Sequence, residues 1–293
     1  MQKLSSYLKL LRVHQWSKNL FIFLPAFFAL KLYQPAVIHN CLLAFFGFSF
    51  LASAVYVFND MLDIEEDKIH PKKRNRPLAS GAVSVKEGIV LIVVLLIAAA
   101  LLFAVLGNTV ASIVAGVYLV QNILYTIKLK HVSLLDVMLI STGFVLRILI
   151  GGAATNTGLS HWIILMTLVL ALFLALAKRR DDVYIYVQTD QKARKNLEGY
   201  NLDFLNVAIT VMATVVIVCY IMYCTSPEIT SRFGGNTYLT SFFVILGILR
   251  YLQLTFVWLI SGSPTMVLLK NRFLQVIILG WIVSFFLIIY LKV

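Results

Sequence analysis

The sequence predicts an all-α membrane protein, a polytopic bundle of about nine transmembrane helices that forms one integral membrane domain over residues 1–293. Hydrophobic residues make up 60% of the chain, and the mean hydropathy is +0.90. Soluble domains have an apolar share of about 45–50%. Apolar runs of about 20 residues, the length that crosses a bilayer core, also recur from end to end.

The elements follow in order along the chain. In residues 1–19, Leu4, Leu8 and Leu11 share one helical face and the basic side chains lie elsewhere, which predicts a short interfacial helix. The segment lacks the pattern of a cleaved signal. The predicted spans are 20–38, 41–58, 88–106, 109–127, 134–153, 161–177, 203–224, 238–260 and 273–291.

Basic residues predict the orientation. With the N-terminus in the cytoplasm, 20 of the 25 Lys and Arg residues fall on the inner side and three on the outer side. This asymmetry is typical of inner-membrane proteins and supports an odd number of spans. We therefore expect a multi-pass protein of the cytoplasmic membrane whose polar clusters face the cytoplasm.

The net charge of +12 follows first from this topology. It suits anionic membrane lipids or phosphorylated substrates, and we expect no nucleic-acid partner. The three cysteines fall in or beside apolar runs, with neither metal-ligand spacing nor a disulfide framework. The sequence does not indicate an oligomeric state.

An acidic cluster follows the second predicted span, in the stretch NDMLDIEEDKIHPKKRNRPLASG. On a continuous helix, Asp60 and Asp67 would lie about 20° apart and Asp63 about 60° from Asp60. Carboxylates on one face repel one another, and at a span end each costs up to roughly 2.5–3.5 kcal/mol in hydrocarbon. Such a helix face is stable only if a cation lies between the carboxylates or if water hydrates them. The alternative to a helix is a solvated loop with scattered charges.

Magnesium and a diphosphate fit this stretch best. Mg²⁺ is commonly held by one or two carboxylates together with water and substrate phosphates, and Asn59 adds an amide oxygen. The following Lys73 and Arg76 can neutralise phosphate oxygens that the metal does not touch. The sequence thus predicts Asn59, Asp60, Asp63 and Asp67 as metal ligands, with the three aspartates as catalytic residues.

A second acidic cluster follows the sixth predicted span, in a similar way. It contains Asp181, Asp182 and Asp190, and Lys178 and Arg179 directly precede it. The recurrence hints at an internal duplication in which two helix bundles present polar ends to one cavity. We expect Asp182 to act as a catalytic residue that orients a donor substrate, and Lys178 and Arg179 to bind phosphate. Tyr186 and Asp190 are further candidates for substrate binding.

Two further cations are candidates for substrate binding. Arg147 lies about ten residues inside a predicted span, where a charge usually has a function. Asp136 is the alternative, structural partner for it. Lys18 follows Trp16, so it is either an interfacial anchor or a ligand of an anionic substrate.

The first acidic stretch resembles the N-D-x-x-D-x-x-x-D and R-P-L-x-x-G motif of the UbiA superfamily of intramembrane prenyltransferases. The resemblance extends over most of the chain and implies that family's helical fold and a Mg²⁺-dependent transferase. In LYTIKLKHVSLLDVMLISTGFVLRILIGG, it implies that Tyr125 and Lys128 lie near the diphosphate.

Within the superfamily, LLRVHQWSKNLFIFLP and LFLALAKRRDD resemble the decaprenyl-phosphate phosphoribosyltransferase branch. That branch implies transfer of 5-phosphoribose from phosphoribosyl diphosphate to a polyprenyl phosphate, with release of pyrophosphate, for cell-envelope polysaccharide precursors. The other branch moves a prenyl group from prenyl diphosphate to an aromatic or other acceptor. Its second motif is D-x-x-x-D, whereas here Asp182 is followed at i+4 by Tyr186 and at i+8 by Asp190.

A non-enzymatic alternative is an ion-coupled transporter, since such proteins also carry carboxylates within the membrane. Transporter carboxylates usually lie near the bilayer midplane between inverted repeats. Here the acidic residues cluster at one end of the spans, and an odd span number disfavours two equal inverted halves.

Overall fold

The structure, a computed structural model, describes residues 2–69, 73–189, 197, 199–260 and 264–291, and no strand occurs in that part of the chain. The helices are α1 Gln2–Leu11, α2 Leu24–Phe28, α3 Pro35–Leu62, α4 Ile64–Ile69, α5 Val85–Leu106, α6 Thr109–Ile127, α7 Leu135–Ala154, α8 His161–Thr189, α9 Leu202–Thr225, α10 Pro227–Phe233, α11 Ser241–Phe256, α12 Pro264–Lys270 and α13 Arg272–Leu291. The 3₁₀ helices are Val13–Phe23, Lys73–Asn75, Leu129–His131 and Gly235–Thr240.

Seven helical stretches among the described residues are long and apolar enough to cross a membrane: Pro35–Leu62, Val85–Leu106, Thr109–Ile127, Leu135–Ala154, His161–Gln188, Leu202–Thr225 and Gly235–Phe256. Arg272–Ile288 is a shorter apolar stretch. The protein is therefore a multi-pass membrane protein with an all-α fold, as predicted. The expected number of nine spans is not confirmed: among the described residues the first predicted span is not one helix, and the last corresponds to the shorter apolar stretch.

The predicted span 20–38 is not one helix. It is divided among the 3₁₀ segment Val13–Phe23, α2, a turn and the start of α3. The stretch from Arg12 to Phe23 runs antiparallel to α3. Four contacts show this: Arg12 with Asp60, Trp16 with Ser53, Asn19 with Ser49, and Phe23 with Phe45. A 3₁₀ helix rises about 2.0 Å per residue against about 1.5 Å in an α-helix, so fewer residues match the length of α3.

Contacts divide the chain into two compact units. Unit 1 contains Met1–Lys130 and Thr142–Leu159, and α3 packs in it against α5, α6 and the 3₁₀ segment around buried side chains such as Phe48. Unit 2 contains His131–Ser141 and Ser160–Val293. In unit 2, α8 packs on α9, and α11 packs on α9 and α13.

Local signals in the sequence account for several helix ends. Ser84 caps α5 and forms a reciprocal capping box with Glu87. Gly107 ends α5 with a φ of 65°, a left-handed conformation that glycine adopts without strain. Asn108 and Asn201 cap α6 and α9 through their side-chain oxygens.

Close packing brings the 3₁₀ segment onto α7 within unit 1. A Cβ atom added at Gly151 would overlap the backbone carbonyl oxygen of Ile22. Glycine is required here because only a residue without a side chain lets the two backbones approach so closely. The contact holds the 3₁₀ segment against the helix that carries Arg147.

Candidate active site

The first acidic cluster lies where α3 ends. Helix α3 stops at Leu62, Asp63 lies in the turn, and α4 begins at Ile64. The three aspartates therefore belong to a helix end, a turn and a second short helix, and not to one continuous helix as the periodicity predicts. Asp60 and Asp67 are nevertheless both buried, with side-chain exposures of 3% and 2%.

Asp60 and Asp67 converge on one guanidinium group. Nη1 of Arg76 donates to Asp60 Oδ1 at 3.0 Å and to Asp67 Oδ2 at 2.7 Å. The two carboxylate oxygens are thus no more than 5.7 Å apart, the sum of these distances. Arg12 Nη2 donates to the same Asp60 oxygen at 2.5 Å, so Asp60 accepts from two guanidinium groups.

Asp63 has a different cation. Lys130 Nζ lies 2.6 Å from Asp63 Oδ1, and Asn59 Nδ2 donates to Asp63 Oδ2 at 2.9 Å. Asn59 therefore holds Asp63 in the turn, and Lys130 neutralises it. The two contacts separate Asp63 from the pair of carboxylates on Arg76.

The donor set has the chemistry of a magnesium site, because ionised carboxylate oxygens are the ligands that Mg²⁺ prefers. Two buried carboxylates that already face one positive charge can take a divalent cation in its place. Among the described residues, no three His, Cys, Asp or Glu side chains are grouped so that they could hold a metal ion by themselves. The geometry therefore fits one or two carboxylate ligands, with the remaining positions left to substrate phosphate and water.

The other residues predicted near the diphosphate vary in exposure. Lys73 and Tyr125 are half-buried, whereas Lys128 is exposed after the end of α6. The structure brings Lys130, two residues beyond Lys128, to the acidic cluster instead.

Arg147 is buried inside unit 1, with an exposed fraction of 5%. Its Nε donates to Asn19 Oδ1 at 2.8 Å and its Nη1 to the Gly143 carbonyl oxygen at 2.7 Å. Its guanidinium carbon lies 4.7–5.3 Å from the ring centres of Phe48, Tyr118 and Phe144. The alternative prediction, that Asp136 pairs with Arg147, is wrong, because Asp136 forms its salt bridge with Arg179.

The second acidic cluster, in unit 2, is built around Arg179. Arg179 Nη2 lies 2.6 Å from Asp136 Oδ2 and Nη1 lies 2.8 Å from Asp182 Oδ2, while Arg179 and Asp136 are 3% and 0% exposed. Tyr200 donates to Asp136 Oδ1 at 2.7 Å and accepts from the Leu134 backbone N–H. Burial, followed by the Asp136 carboxylate, raises the pKa of Tyr200 well above its ordinary value.

This network changes how Arg179 is understood. Its guanidinium is engaged by two carboxylates, which favours a role in positioning Asp182 over direct binding of phosphate. Lys178 is exposed, and Tyr186 packs its ring against the core of unit 2. Asp190 lies outside the described residues.

Sequence reasoning missed several residues at these sites. The sequence does not distinguish Arg12 and Lys130 from the other basic residues of the inner side, yet they contact Asp60 and Asp63. Nor does it indicate the left-handed backbone of Arg12, which has a φ of 52°. A signal exists for Asn19, a polar residue directly before the first apolar run, which is buried between Ser49 and Arg147.

Comparison with known proteins identifies the family. The UbiA prenyltransferase family matches residues 19–277. The chain belongs to this family. It is 32% identical over 288 residues to the decaprenyl-phosphate phosphoribosyltransferase of Corynebacterium glutamicum, covering 97% of this chain and 86% of that protein. The enzyme of that name from Mycobacterium tuberculosis H37Rv is 31% identical over 281 residues, covering 94% and 91%.

Among solved structures, a UbiA homologue from Archaeoglobus fulgidus bound to DMAPP and Mg²⁺ superposes with a TM-score of 0.71 at 18% identity, covering 97% of this chain and 99% of that one. This likeness confirms the fold. The family and its relatives make this UbiA-family protein a transferase, which sets aside the transporter alternative.

Proposed function

We propose that this UbiA-family protein transfers 5-phosphoribose from phosphoribosyl diphosphate to a polyprenyl phosphate and releases pyrophosphate, for cell-envelope polysaccharide precursors. The observation that carries the site is the convergence of Asp60 and Asp67 on Arg76. The substrates follow from the relatives in C. glutamicum and M. tuberculosis, which carry the phosphoribosyltransferase name and align over nearly the whole chain.

The donor diphosphate would bind at the carboxylate end of unit 1. Asp60 and Asp67 would hold Mg²⁺. Asn59 and Asp63, which hydrogen-bond to each other, would supply further oxygen ligands only by turning from that contact towards the ion. When bound, this ion supplies Lewis-acid stabilisation to the leaving diphosphate. Arg76 would then be free to turn from the carboxylates towards phosphate oxygens, which it binds in a bidentate fashion.

Arg12 and Lys130 extend the same role. Each lies against one of the aspartates and comes from a different part of unit 1. Their positive charges balance those of the carboxylates, and their contacts fix the positions of Asp60 and Asp63 before substrate arrives. As the diphosphate leaves, these fixed cations stabilise the negative charge that develops on it.

The reaction needs no general base. An oxygen of the lipid phosphate forms a bond to C1 of the ribose while the bond from C1 to the diphosphate oxygen breaks, and that electron pair leaves with pyrophosphate. The acceptor is already an anion, so no proton must be removed. An aromatic acceptor would instead need a base to restore the ring after attack.

Prenyl transfer from a prenyl diphosphate remains the second candidate. The same carboxylates and guanidinium groups would serve a prenyl diphosphate. The second aspartate of D-x-x-x-D is replaced here by Tyr186, whose ring packs against the core of unit 2. This position therefore has no carboxylate, which disfavours prenyl transfer.

We also infer the orientation. The N-terminal helix lies at the same end of unit 1 as the aspartates, because Lys3 pairs with Glu87 and Arg12 with Asp60. With the N-terminus in the cytoplasm, the donor site opens to the cytoplasm, where a soluble sugar diphosphate would be met.

The test uses the purified full chain in detergent with Mg²⁺, radiolabelled phosphoribosyl diphosphate and a polyprenyl phosphate. We expect pyrophosphate release and a labelled lipid product only when both substrates are present. A protein that is inert in this assay but attaches a prenyl chain from prenyl diphosphate to an aromatic acid would refute the proposal and establish the second candidate.

A further inference from the structure

Lys18 and Arg147 are two cations of unit 1 that lack an acidic counter-ion among the described residues. Lys18 is half-buried, and the charged groups that influence its ammonium group are Arg147 and Arg12, both positive. Among the described residues, no carboxylate forms a salt bridge with Lys18 or Arg147. Arg12, Arg76 and Lys130 in unit 1, by contrast, each contact an aspartate.

The surroundings of Arg147 are neutral. Its contacts are an amide oxygen, a backbone carbonyl oxygen and three aromatic rings. These groups orient the guanidinium and partly replace water, but none carries a negative charge. An ionised group in the interior of a membrane protein is costly unless it is paired, so such a pair is stable chiefly when an anion can join it.

The 3₁₀ geometry of Val13–Phe23 explains why the cations lie together. With three residues per turn, side chains at i and i+3 align. Trp16, Asn19 and Ile22 form one ridge, which packs on α3. Lys18 and Phe21 form the next ridge towards α7, where Phe21 contacts Phe144 with ring centres 5.1 Å apart. Arg147 on α7 donates to Asn19, the residue that follows Lys18, and this contact brings the two cations into one region of unit 1.

We propose that Lys18 and Arg147 form a phosphomonoester-binding subsite, separate from the carboxylate end where the diphosphate is held. This inference deepens the proposed function, on which it rests. A metal-bound diphosphate requires carboxylates, whereas a lone phosphate requires only cations and hydrogen-bond donors. Unit 1 offers both environments, and Arg12, which binds Asp60 and influences Lys18, links them.

Two substrates could supply the phosphomonoester. One is the lipid phosphate of the acceptor, and the other is the 5-phosphate of the donor ribose. The chemistry of binding is shared: a phosphate dianion accepts hydrogen bonds from an ammonium and a guanidinium group. The experiment below separates the two sources.

The pair also predicts a pH dependence. Burial first, then the nearby Arg147 and Arg12, lowers the pKa of Lys18 from 10.5 to about 8. His14 and Arg12 on its own segment and Arg147 on α7 are the titratable or charged groups near it, and Asp60 on α3 is engaged by Arg12. Lys18 loses its proton as the pH rises through about 8, so the affinity for a phosphomonoester falls above that pH.

Binding is measured without turnover, by calorimetric titration of the detergent-purified full chain with ribose 5-phosphate and, separately, with farnesyl phosphate. We expect Lys18→Met to weaken binding of at least one ligand by about tenfold or more, the loss of one charge-assisted contact. Lys9→Met is the matched control, because Lys9 is exposed on α1, and it should bind as the wild type does.

Weakened farnesyl phosphate binding assigns the subsite to the acceptor, and weakened ribose 5-phosphate binding assigns it to the donor. Unchanged binding of both ligands by Lys18→Met, or no binding by the wild type, overturns the proposal. If Lys18→Met melts well below the wild type, Lys18→Arg decides: it must retain binding and lose the decline above pH 8. The binding titration needs no turnover. Its result therefore stands whether or not the phosphoribosyl transfer assay shows activity, and the two proposals can fail separately.

Discussion

Replacing Arg76 with methionine tests the electrostatics of the acidic cluster most directly. Arg76 is the shared partner of Asp60 and Asp67, and its side chain is 24% exposed. Removing one partner of a fully buried ion pair costs about 3–5 kcal/mol, because the other charge remains buried. Asp60 keeps Arg12, and water reaches Arg76, so we expect a loss of about 2–3 kcal/mol in the free energy of unfolding.

The assay is thermal unfolding of the purified protein in detergent, with EDTA or with Mg²⁺. For a chain of this size, the expected loss corresponds to a decrease in Tm of about 3–5 °C in EDTA. Mg²⁺ should raise the Tm of Arg76→Met more than that of the wild type, because the ion takes the place of the missing positive charge without displacing a side chain.

Lys68→Met is the matched control on the same stretch. Lys68 pairs with Glu65 at 2.7 Å, but the two side chains are 51% and 84% exposed. Such surface pairs contribute about 0–1 kcal/mol, so its Tm should hardly change in either buffer. The reasoning is refuted if Arg76→Met melts at the wild-type temperature in EDTA, or if Mg²⁺ stabilises both proteins equally.

Three further outcomes are expected. Asp63→Asn should lower kcat by about 100-fold in the pyrophosphate-release assay, on the scale of losing one electrostatic contact, while Glu66→Gln stays near the wild type; near-normal turnover of Asp63→Asn would exclude a catalytic role. Asp136→Asn should lower the free energy of unfolding by about 3 kcal/mol, since it leaves a buried guanidinium group half-paired; an unchanged Tm would contradict this. Single cysteines at Ser80 and Asn236, both exposed, should label from opposite sides of the membrane, with little background because the three native cysteines are buried; labelling from one side would contradict the orientation.

The sequence predicted the membrane class and most spans because hydropathy alone decides them. Helix α6, for example, has the predicted bounds 109–127, and α5 ends at the predicted residue 106 but begins at Val85 and not at 88. A continuous apolar run must satisfy its backbone internally in lipid, and a helix is the way to do so. The first predicted span, 20–38, failed because Pro25 lies within it and Asn19 directly precedes it. Ser49 on α3 and Arg147 on α7 hold Asn19 in the 3₁₀ segment.

The acidic cluster could be predicted in composition but not in pairing. The motif indicated which carboxylates gather at the end of α3 and that Arg76 belongs with them. It could not indicate that Lys130 binds Asp63 while Lys128 stays exposed, because the two lysines have the same inner-loop setting and differ only in where the turn after α6 directs them. Asp136 was likewise a possible partner of Arg147 by sequence alone, and the fold pairs it with Arg179 instead.

The 3₁₀ segment connects these observations. Arg12 directly precedes the segment in a left-handed conformation and contacts Asp60 on α3. Within the segment, three residues per turn align Asn19 with Trp16 against α3, and Lys18 with Phe21 on the side of α7. The segment thus keeps Arg12, which balances a carboxylate, apart from Lys18, which has no carboxylate contact in the described part of unit 1. On an α-helix each residue three positions along would turn by about 60° away from these contacts, so the 3₁₀ backbone is part of the substrate site that we propose.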